Sequence, residues 1–264
     1  MAALSRALTV SPPAVAEVTP EAAARALSRA RRDGRRVLSA LLQARSRDEA
    51  YAIQDATLVA IGPIGGWKVG VPGPGQDPIC APLPAAGLVR GGATLDGSAW
   101  HLRGIEAEIA FRLGSDLPPR AWPYTREEVA LAIASVLPVI EVAETRLADW
   151  LDADPVAFLA DLLSHGGLVQ GEPEAFDPAW LDLKLTEVVM RFDDQVVAHT
   201  VGGHTHPDVG GLLVWLANHC MARGAGLQAG QIVTTGSCTG MLFASQGTAV
   251  HAEVAGLAPL AVFF

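Results

Sequence analysis

Residues 104–113, GIEAEIAFRL, alternate with a period of two. This period predicts a β-strand whose large apolar side chains share one face while Glu106 and Glu108 share the other. Residues i and i+2 of a strand lie roughly 6–7 Å apart, so the two side chains can converge on one point. Like charges that close repel each other unless a positive group lies between them. Two interpretations follow from this strand alone: a solvated face, or two ligands of a shared cation.

A third carboxylate lies in another apolar stretch. Residues 139–144, VIEVAE, are apolar and partly β-branched around Glu141, which predicts a short buried strand. Three glutamates offer oxygen ligands only, and hard divalent ions such as Mg²⁺ and Mn²⁺ prefer such ligands. About three positions of an octahedral ion would remain open, two of them for a bidentate 2-oxo or 2-hydroxy acid. The residues alone therefore suggest a metal site without deciding a reaction.

The chain changes character near residue 62. Thr19, Pro20 and Glu21 form an N-cap, a first-turn proline and an acidic first turn, which predict a helix that Gly34 interrupts. A second helix is expected to begin at Ser46. We therefore predict a disordered tail and helical N-terminal part over residues 1–62, and a β-rich catalytic domain over residues 63–264.

Short strands and few helices are expected after residue 62, and no strand–helix–strand repeat is evident. The expected elements are a helix from a capping box at Thr125 to a stop at Pro138, a hairpin over 183–203 that turns at Asp193-Asp194, a helix over about 207–223 ended by Gly224, and three short strands over 231–264. This order favours a mixed, largely antiparallel sheet with helices packed outside it, an α+β fold.

Composition narrows the classes of partner. The 264-residue chain has a formal net charge of −9, which disfavours nucleic-acid binding because phosphates need a clustered positive field. No uninterrupted run of about 18 apolar residues occurs, so no membrane span is expected. Cys80, Cys220 and Cys238 are widely spaced, which predicts neither a disulfide framework nor a thiolate zinc site. We expect a protein of the reducing cytoplasm.

Other motifs favour structure over chemistry. Residues 236–240, GSCTG, imitate a nucleophile elbow with Cys238 at its centre, but the residues that follow do not predict the helix that an elbow requires. The pair His204-x-His206 fits a turn before a helix better than a metal site. Arg146 and Asp149 are interpreted as a structural ion pair.

Five segments occur in an order and at a spacing typical of one family. They are GWKVG (66–70), GIEAEIAFRLGSDLP (104–118), VLPVIEVAETRLADW (136–150), ADLLSHGGLVQG (160–171), and WLAN with GLQAGQIVTTGS (215–237). Together they resemble the 2-keto-4-pentenoate hydratase and 4-oxalocrotonate decarboxylase family, within the wider fumarylacetoacetate hydrolase superfamily. The resemblance implies a fold like the C-terminal domain of fumarylacetoacetate hydrolase: a mixed β-roll or barrel with packed helices and a small helical N-terminal part.

The resemblance also implies a site. Glu106 and Glu108 match the E-x-E metal ligands of the family, and Glu141 matches its third acid, with one Mg²⁺ or Mn²⁺ bound among them. Lys68 matches the lysine beside the substrate, where an ammonium can stabilise an enolate. Further candidates for substrate binding are Asp77, Ser164 and Ser237.

The implied activity is that of a metal-dependent lyase, first a hydratase of 2-hydroxy-2,4-dienoates such as 2-hydroxypenta-2,4-dienoate, in the catabolism of aromatic compounds. The alternatives are a 4-oxalocrotonate-type decarboxylase, a C–C bond hydrolase of the superfamily, and a non-catalytic partner subunit. The partner is a small 2-oxo or 2-hydroxy acid, and a homo-oligomer is expected. Two departures affect the pocket: Leu162 replaces an asparagine of the family pattern A-D-N-x-S, and the proline-rich loop after Lys68 is short.

Overall fold

The structure is a computed structural model that describes residues 18–264. Most of the predicted N-terminal tail lies outside these residues. The α-helices are α1 (Pro20–Asp33), α2 (Arg47–Ile61), α3 (Arg126–Ala132), α4 (Pro155–Ala160) and α5 (Val209–Ala222). The strands are β1 (Ile64–Gly70), β2 (Ile79–Pro84), β3 (Leu88–Arg90), β4 (Gly104–Leu113), β5 (Ile133–Ala143), β6 (His165–Gln170), β7 (Glu174–Ala175), β8 (Glu187–Phe192), β9 (Gln195–Val201), β10 (Ile232–Ser237), β11 (Leu242–Phe243), β12 (Ala249–Val254) and β13 (Leu260–Phe263).

Two sheets carry the strands. The larger follows the order β2-β1-β10-β4-β5-β6-β3, with β11 paired to β4 and β7 paired to β5. The smaller follows the order β13-β12-β8-β9. Within residues 18–264 only the pairs β1/β10 and β3/β6 are parallel; the other paired strands are antiparallel. The mixed, mainly antiparallel sheets with accompanying helices confirm the predicted α+β class.

The larger sheet is rolled, and its two faces bury different clusters. On the outer face of β4, Ile105, Ile109 and Phe111 belong to the main core, which also includes residues of α5 and of the smaller sheet. On the inner face, Ala110 belongs to a second buried cluster whose members come from β2, β4, β5, β6 and β10, with Leu88 of β3 packed against it. Because β2 and β3 are the two ends of the sheet order, their meeting in one cluster requires the sheet to curl. The glutamate face of β4 therefore points into the roll rather than toward solvent.

The predicted helix starts are confirmed by their caps. The side chain of Thr19 accepts a hydrogen bond from the Ala22 amide, and that of Ser46 accepts one from the Glu49 amide. Thr125 and Glu128 form the reciprocal capping box expected at the start of α3. Each cap satisfies amides that the first helical turn leaves without a partner.

One predicted boundary is wrong. The helix that begins at Arg126 ends at Ala132 instead of at Pro138, and residues from Ile133 onward form the long strand β5. Pro138 lies inside this strand, opposite Ile109 of β4. On the other edge of β5, β7 pairs up to Val136 and β6 pairs from Val139, so Pro138 lies where neither strand needs its missing amide. Burial on both faces of the sheet outweighs the local helical pattern.

The C-terminal part follows the prediction with one addition. The hairpin of β8 and β9 turns between Phe192 and Gln195, and α5 ends before Gly224, whose φ is +77°. Residues 231–264 hold four strands rather than three, because the two-residue strand β11 pairs with β4.

Arg146 does not pair with Asp149, which corrects the predicted ion pair. Its Nε lies 2.6 Å from Asp161 Oδ1, and its Nη1 and Nη2 donate to the carbonyls of His165 and Asp161 at 2.8 and 2.9 Å. Asp149 instead accepts from the amide and hydroxyl of Ser39. The pair Arg146–Asp161 is buried, with side chains 5% and 2% exposed.

We expect Arg146→Lys to destabilise the protein by roughly 2–3 kcal/mol, because an ammonium cannot reproduce the guanidinium fork and leaves buried carbonyl acceptors unsatisfied. Urea unfolding measures the effect. Arg90→Lys is the matched control, because Arg90 pairs with Glu172 at the surface, where the pair contributes little. Equal unfolding midpoints for Arg146→Lys and the control would contradict the structural role of this pair.

Candidate active site

The three predicted glutamates meet on the inner face of the roll. Glu106 of β4 lies directly opposite Glu141 of β5, and Glu108 follows two residues along the same face. One carboxylate oxygen from each lies within 4.8 Å of the other two. Glu108 and Glu141 are 3% and 1% exposed, so the face that carries them is not solvated. Antiparallel pairing thus brings Glu141 beside two residues that precede it by more than thirty positions.

The electrostatics of this cluster call for a positive partner. Burial raises the pKa of Glu106 and, strongly, that of Glu108, and the charge of Glu141 raises both further. The hydroxyls of Ser237 and Thr234 act in the opposite direction on Glu106 and Glu108 respectively. Glu108 Oε2 is buried and has no hydrogen-bond partner among the described residues. A buried acceptor without a donor is costly, and a hard divalent cation satisfies it. The three carboxylates therefore fit a Mg²⁺ or Mn²⁺ ion.

Lys68 supplies one positive charge at the edge of the cluster. Its Nζ lies 2.5 Å from Glu141 Oε1 and 3.2 Å from the carbonyl oxygen of Leu163. Burial lowers the pKa of Lys68, but the three neighbouring carboxylates outweigh burial and raise it, so the side chain is an ammonium. Burial likewise raises the pKa of Glu141, and Lys68 and His165 outweigh it, so Glu141 is an anion.

The partner carbonyl of Lys68 comes from a left-handed turn. Leu162, Leu163 and Ser164 have φ values of +53°, +51° and +58°, a conformation that L-residues other than glycine rarely adopt. The Ser164 amide donates to Asp161 O, and its carbonyl accepts from the Glu144 amide, so both sides of the turn are anchored. Backbone strain of this kind persists where surrounding contacts impose it, and it is concentrated at functional sites. Here the strain aims the Leu163 carbonyl at the Lys68 ammonium.

His165 lies behind Glu141 and was not among the predicted site residues. Its side chain is fully buried, and its Nδ1 lies 3.7 Å from Glu141 Oε1. Burial lowers the pKa of His165 to about 4, so the ring is neutral at pH 7. His165 lies in the segment ADLLSHGGLVQG that contributed to the family resemblance, but nothing in that segment indicates which residue its ring contacts. The pairing of β5 with β6 brings it to Glu141.

A cavity of about 230 Å³ opens over the cluster. Of the seven predicted site residues, five line it: Lys68, Glu106, Glu108, Glu141 and Ser237. Asp77 is exposed on the loop between β1 and β2, and Ser164 is buried outside the lining. Leu163, Thr205 and Thr234 also line the cavity, although the sequence analysis assigned them no role. Thr234 lies in the segment GLQAGQIVTTGS. The alternation of side chains along β10 could have indicated that it faces the same side of the sheet as the glutamates.

The other motifs behave as structural features. Burial raises the pKa of the Cys238 thiol to about 12, and β10 leads into β11 rather than into the helix of a nucleophile elbow. His204 bonds to the His206 carbonyl and to the Thr235 hydroxyl, in a turn that precedes α5. Within residues 18–264, no helix has the length and hydropathy needed to cross a membrane.

Comparison with known proteins shows which family this chain belongs to. The profile of the fumarylacetoacetate (FAA) hydrolase C-terminal domain matches residues 75–262. The chain belongs to the fumarylacetoacetate hydrolase family. The matched region includes the three glutamates, Ser164 and Ser237, whereas Lys68 precedes it.

Two curated relatives within this family are hydratases by name. The chain is 29% identical over 189 residues to 2-hydroxyhexa-2,4-dienoate hydratase of Comamonas testosteroni, a match that covers 72% of this chain and 66%, just under two thirds, of that protein. It is 28% identical over 260 residues to 2-keto-4-pentenoate hydratase 2 of Dechloromonas aromatica (strain RCB), covering 94% and 98% of the two chains.

One solved structure shares the fold over nearly the whole length. The 4-oxalocrotonate decarboxylase from Pseudomonas putida G7, complexed with magnesium and adipate, superposes with a TM-score of 0.81. The match covers 93% of this chain and 97% of that one at 24% identity. This likeness confirms the predicted fold: rolled mixed sheet, packed helices and helical N-terminal segment.

Proposed function

We propose that this chain is a metal-dependent lyase, first a hydratase that adds water to 2-hydroxypenta-2,4-dienoate-like acids. The observation that carries the proposal is the buried set of three carboxylates with an ammonium beside it, all facing one cavity. The names of the two hydratase relatives support this reaction class.

Glu106, Glu108 and Glu141 are proposed to hold one Mg²⁺ or Mn²⁺. The orphaned Glu108 oxygen and the all-oxygen donor set support this assignment. Structures of the 4-oxalocrotonate decarboxylase contain magnesium in one case and calcium in another, which supports a hard divalent ion in the family. When bound, such an ion supplies Lewis-acid stabilisation of negative charge on substrate oxygens.

Lys68 is proposed as the catalytic residue of the chain itself. Glu141 and the Leu163 carbonyl fix its ammonium at the cavity wall, where it stabilises the negative charge that develops when a 2-hydroxydienoate becomes an enolate. Such preorganised charge needs no reorientation during the reaction. Leu163 is thus a positioning residue, acting through Lys68.

Three residues are proposed for substrate binding. Ser237 offers its hydroxyl from the cavity wall, beside Glu106. Asp77 lies on the exposed loop after β1, whose residues Val71 and Pro72 line the cavity, so contact with substrate requires that loop to fold over the opening. Ser164 lies directly after Leu163 and does not line the cavity, so its effect on substrate binding is indirect: it acts on the conformation of the left-handed turn.

Decarboxylation is the second candidate, because loss of CO₂ from a vinylogous keto acid gives an enolate that the same ammonium and ion would stabilise. Leu162, which stands where the family pattern has an asparagine, is buried and is the first residue of the left-handed turn, so the amide of that asparagine is absent there. A C–C bond hydrolase would need a basic histidine facing the substrate; His165 is buried behind Glu141 and outside the cavity lining.

The assay that tests the proposal follows loss of the dienol absorbance of 2-hydroxypenta-2,4-dienoate with Mg²⁺ present. We expect turnover that EDTA abolishes and that added Mg²⁺ or Mn²⁺ restores. A parallel reaction with 2-oxo-3-hexenedioate measures CO₂ release, and the substrate with the higher kcat/KM decides between hydratase and decarboxylase. If turnover of either substrate survives EDTA, the proposed role of the metal is overturned. If neither substrate is turned over, the proposed reaction class is overturned.

A homo-oligomeric assembly, a cytoplasmic location and the division into residues 1–62 and 63–264 stay predictions. Light scattering on the purified chain measures the first. Limited proteolysis near residue 62 measures the last.

A further inference from the structure

A second cavity, also of about 230 Å³, lies near the C-terminal end of α1. No residue that lines it lines the cavity over the glutamates. Its lining includes the guanidinium-bearing residues Arg31, Arg36 and Arg146, the side chains of Trp100 and His101, and Glu144. Three arginines, against Glu144 of the lining and the Asp161 partner of Arg146, leave this wall with a net positive charge.

Two of the three arginines have carboxylate partners, and the two ion pairs differ in distance and in how fully the guanidinium is paired. Arg146 is fully engaged by Asp161 and the His165 carbonyl, as described above. Arg36 Nη2 reaches Glu144 Oε1 at only 3.4 Å, and Arg36 Nε is buried with no hydrogen-bond partner among the described residues. Glu144 is engaged elsewhere, since its Oε2 accepts from the amides of His101 and Leu102 at 2.7 and 2.8 Å. Glu144 therefore neutralises Arg36 incompletely.

Arg31 has no carboxylate within ion-pair distance among residues 18–264. Its one hydrogen bond in that part of the chain runs from Nη2 to the carbonyl oxygen of His165, at 3.0 Å. Burial and the adjacent Arg146 guanidinium lower the pKa of Arg31, and the charge of Asp161 acts in the opposite direction without outweighing them. The remaining donors of Arg31 have no protein partner among the described residues, so an anion in the adjacent space could accept hydrogen bonds from them.

We infer that this cavity is a binding site for a small carboxylate or phosphate anion, held by the guanidinium groups of Arg31 and Arg36 that line it. The planar guanidinium fork matches both groups because it can donate two parallel hydrogen bonds. Trp100 limits the ligand's size: a Cβ atom placed at Gly166 would lie 2.5 Å from its ring, so the indole rests directly on the β6 backbone. A cavity of this volume lies below the roughly 300 Å³ of drug-sized sites, so the ligand is a small metabolite or ion.

The site is independent of the proposed lyase activity, although the two are neighbours. The His165 carbonyl accepts hydrogen bonds from Arg31 and Arg146, while the His165 ring lies beside Glu141. Binding, rather than turnover, is therefore the measurement that separates them.

Isothermal titration calorimetry on the full chain, with inorganic phosphate and with succinate as probes, tests the site. We expect one site per chain for at least one probe, with affinity reduced about tenfold or more by Arg31→Met, because a charge-assisted fork is lost. Arg32→Met is the matched control on the same helix, since Arg32 is exposed and pairs with Asp33. Glu108→Gln, which removes a proposed metal ligand, should bind the probe like the wild type.

A second variant keeps the test valid if Arg31→Met fails to fold. Ala99 is exposed and lines the cavity, so Ala99→Glu introduces a competing carboxylate without removing any arginine, and we expect it to abolish probe binding. The probe that binds more tightly identifies the ligand as a phosphate or a carboxylate. Three outcomes would overturn the proposal. They are equal affinity in the wild type, Arg31→Met and Ala99→Glu; loss of binding in Glu108→Gln; and no binding of either probe up to about 10 mM.

Discussion

Replacing Glu108 with glutamine will strongly reduce metal-dependent turnover while making the metal-free protein more stable. The two effects have one cause. Glu108 is buried beside Glu106 and Glu141, and burial with their repulsion raises its pKa well above the ordinary value. A carboxylate held in this way opposes folding at neutral pH unless a cation compensates it. Glutamine removes the charge and, with it, a ligand of the proposed ion.

The expected loss in kcat/KM is at least about 100-fold, since even outer partners of metal ligands contribute 10–100-fold. Urea unfolding in EDTA measures the stability of the wild type, of Glu108→Gln and of the exposed control Glu172→Gln. A raised folded-state pKa means that the Glu108 contribution to stability is fully present below the ordinary glutamate pKa and is lost as the pH rises through the raised value. The stability gap between wild type and variant should therefore widen with pH over that window. A variant that loses much less than about 100-fold in kcat/KM, or that is less stable than the wild type at every pH, would contradict this account.

Replacing Lys68 with methionine will reduce kcat by about 10²–10³, the loss expected when one preorganised oxyanion-stabilising donor is removed. It will also destabilise the metal-free protein by about 3–5 kcal/mol, because Glu141 then remains buried without its ammonium partner. Added Mg²⁺ should recover much of the stability, since a cation can replace the lost charge, but it should not recover kcat.

Lys184→Met is a matched control, because Lys184 is the other lysine of the chain and its side chain is 70% exposed near Asp182. Steady-state kinetics and calorimetric Mg²⁺ titration separate the two roles of Lys68. If kcat is unchanged and only Mg²⁺ affinity changes, then Lys68 organises the ligands and is not a catalytic residue.

Local patterns predicted much of the fold because their physics is local. The caps at Thr19, Ser46 and Thr125 satisfy amides within three residues, so the sequence suffices to find them. Prediction was wrong where distant strands compete with local preference. The local pattern of Ile133 to Pro138 predicts the end of a helix, but β4 pairs with every one of these residues except Ala134 and makes them a strand.

The candidate site divides in the same way. The alternation of β4 determined that Glu106 and Glu108 share a face, and the motif order singled out Glu141 and Lys68. Asp77 and Ser164 were named from loop position and motif alone, and the structure places neither in the cavity lining. The sequence did not predict the contacts of three further groups: His165, the Leu163 carbonyl and Thr234. Each acts through one atom, and the direction of that atom depends on the tertiary fold.

The sequence by itself determined the identity and spacing of the charged groups, the caps, the alternating faces and the family. Only the tertiary structure decided that Glu106 lies opposite Glu141, that a left-handed turn aims Leu163 at Lys68, and that Arg31 has no carboxylate partner within residues 18–264. The physical reason is range. Capping and alternation act over a few residues, whereas strand register and the pairing of buried charges are fixed only when the whole sheet has rolled and excluded water.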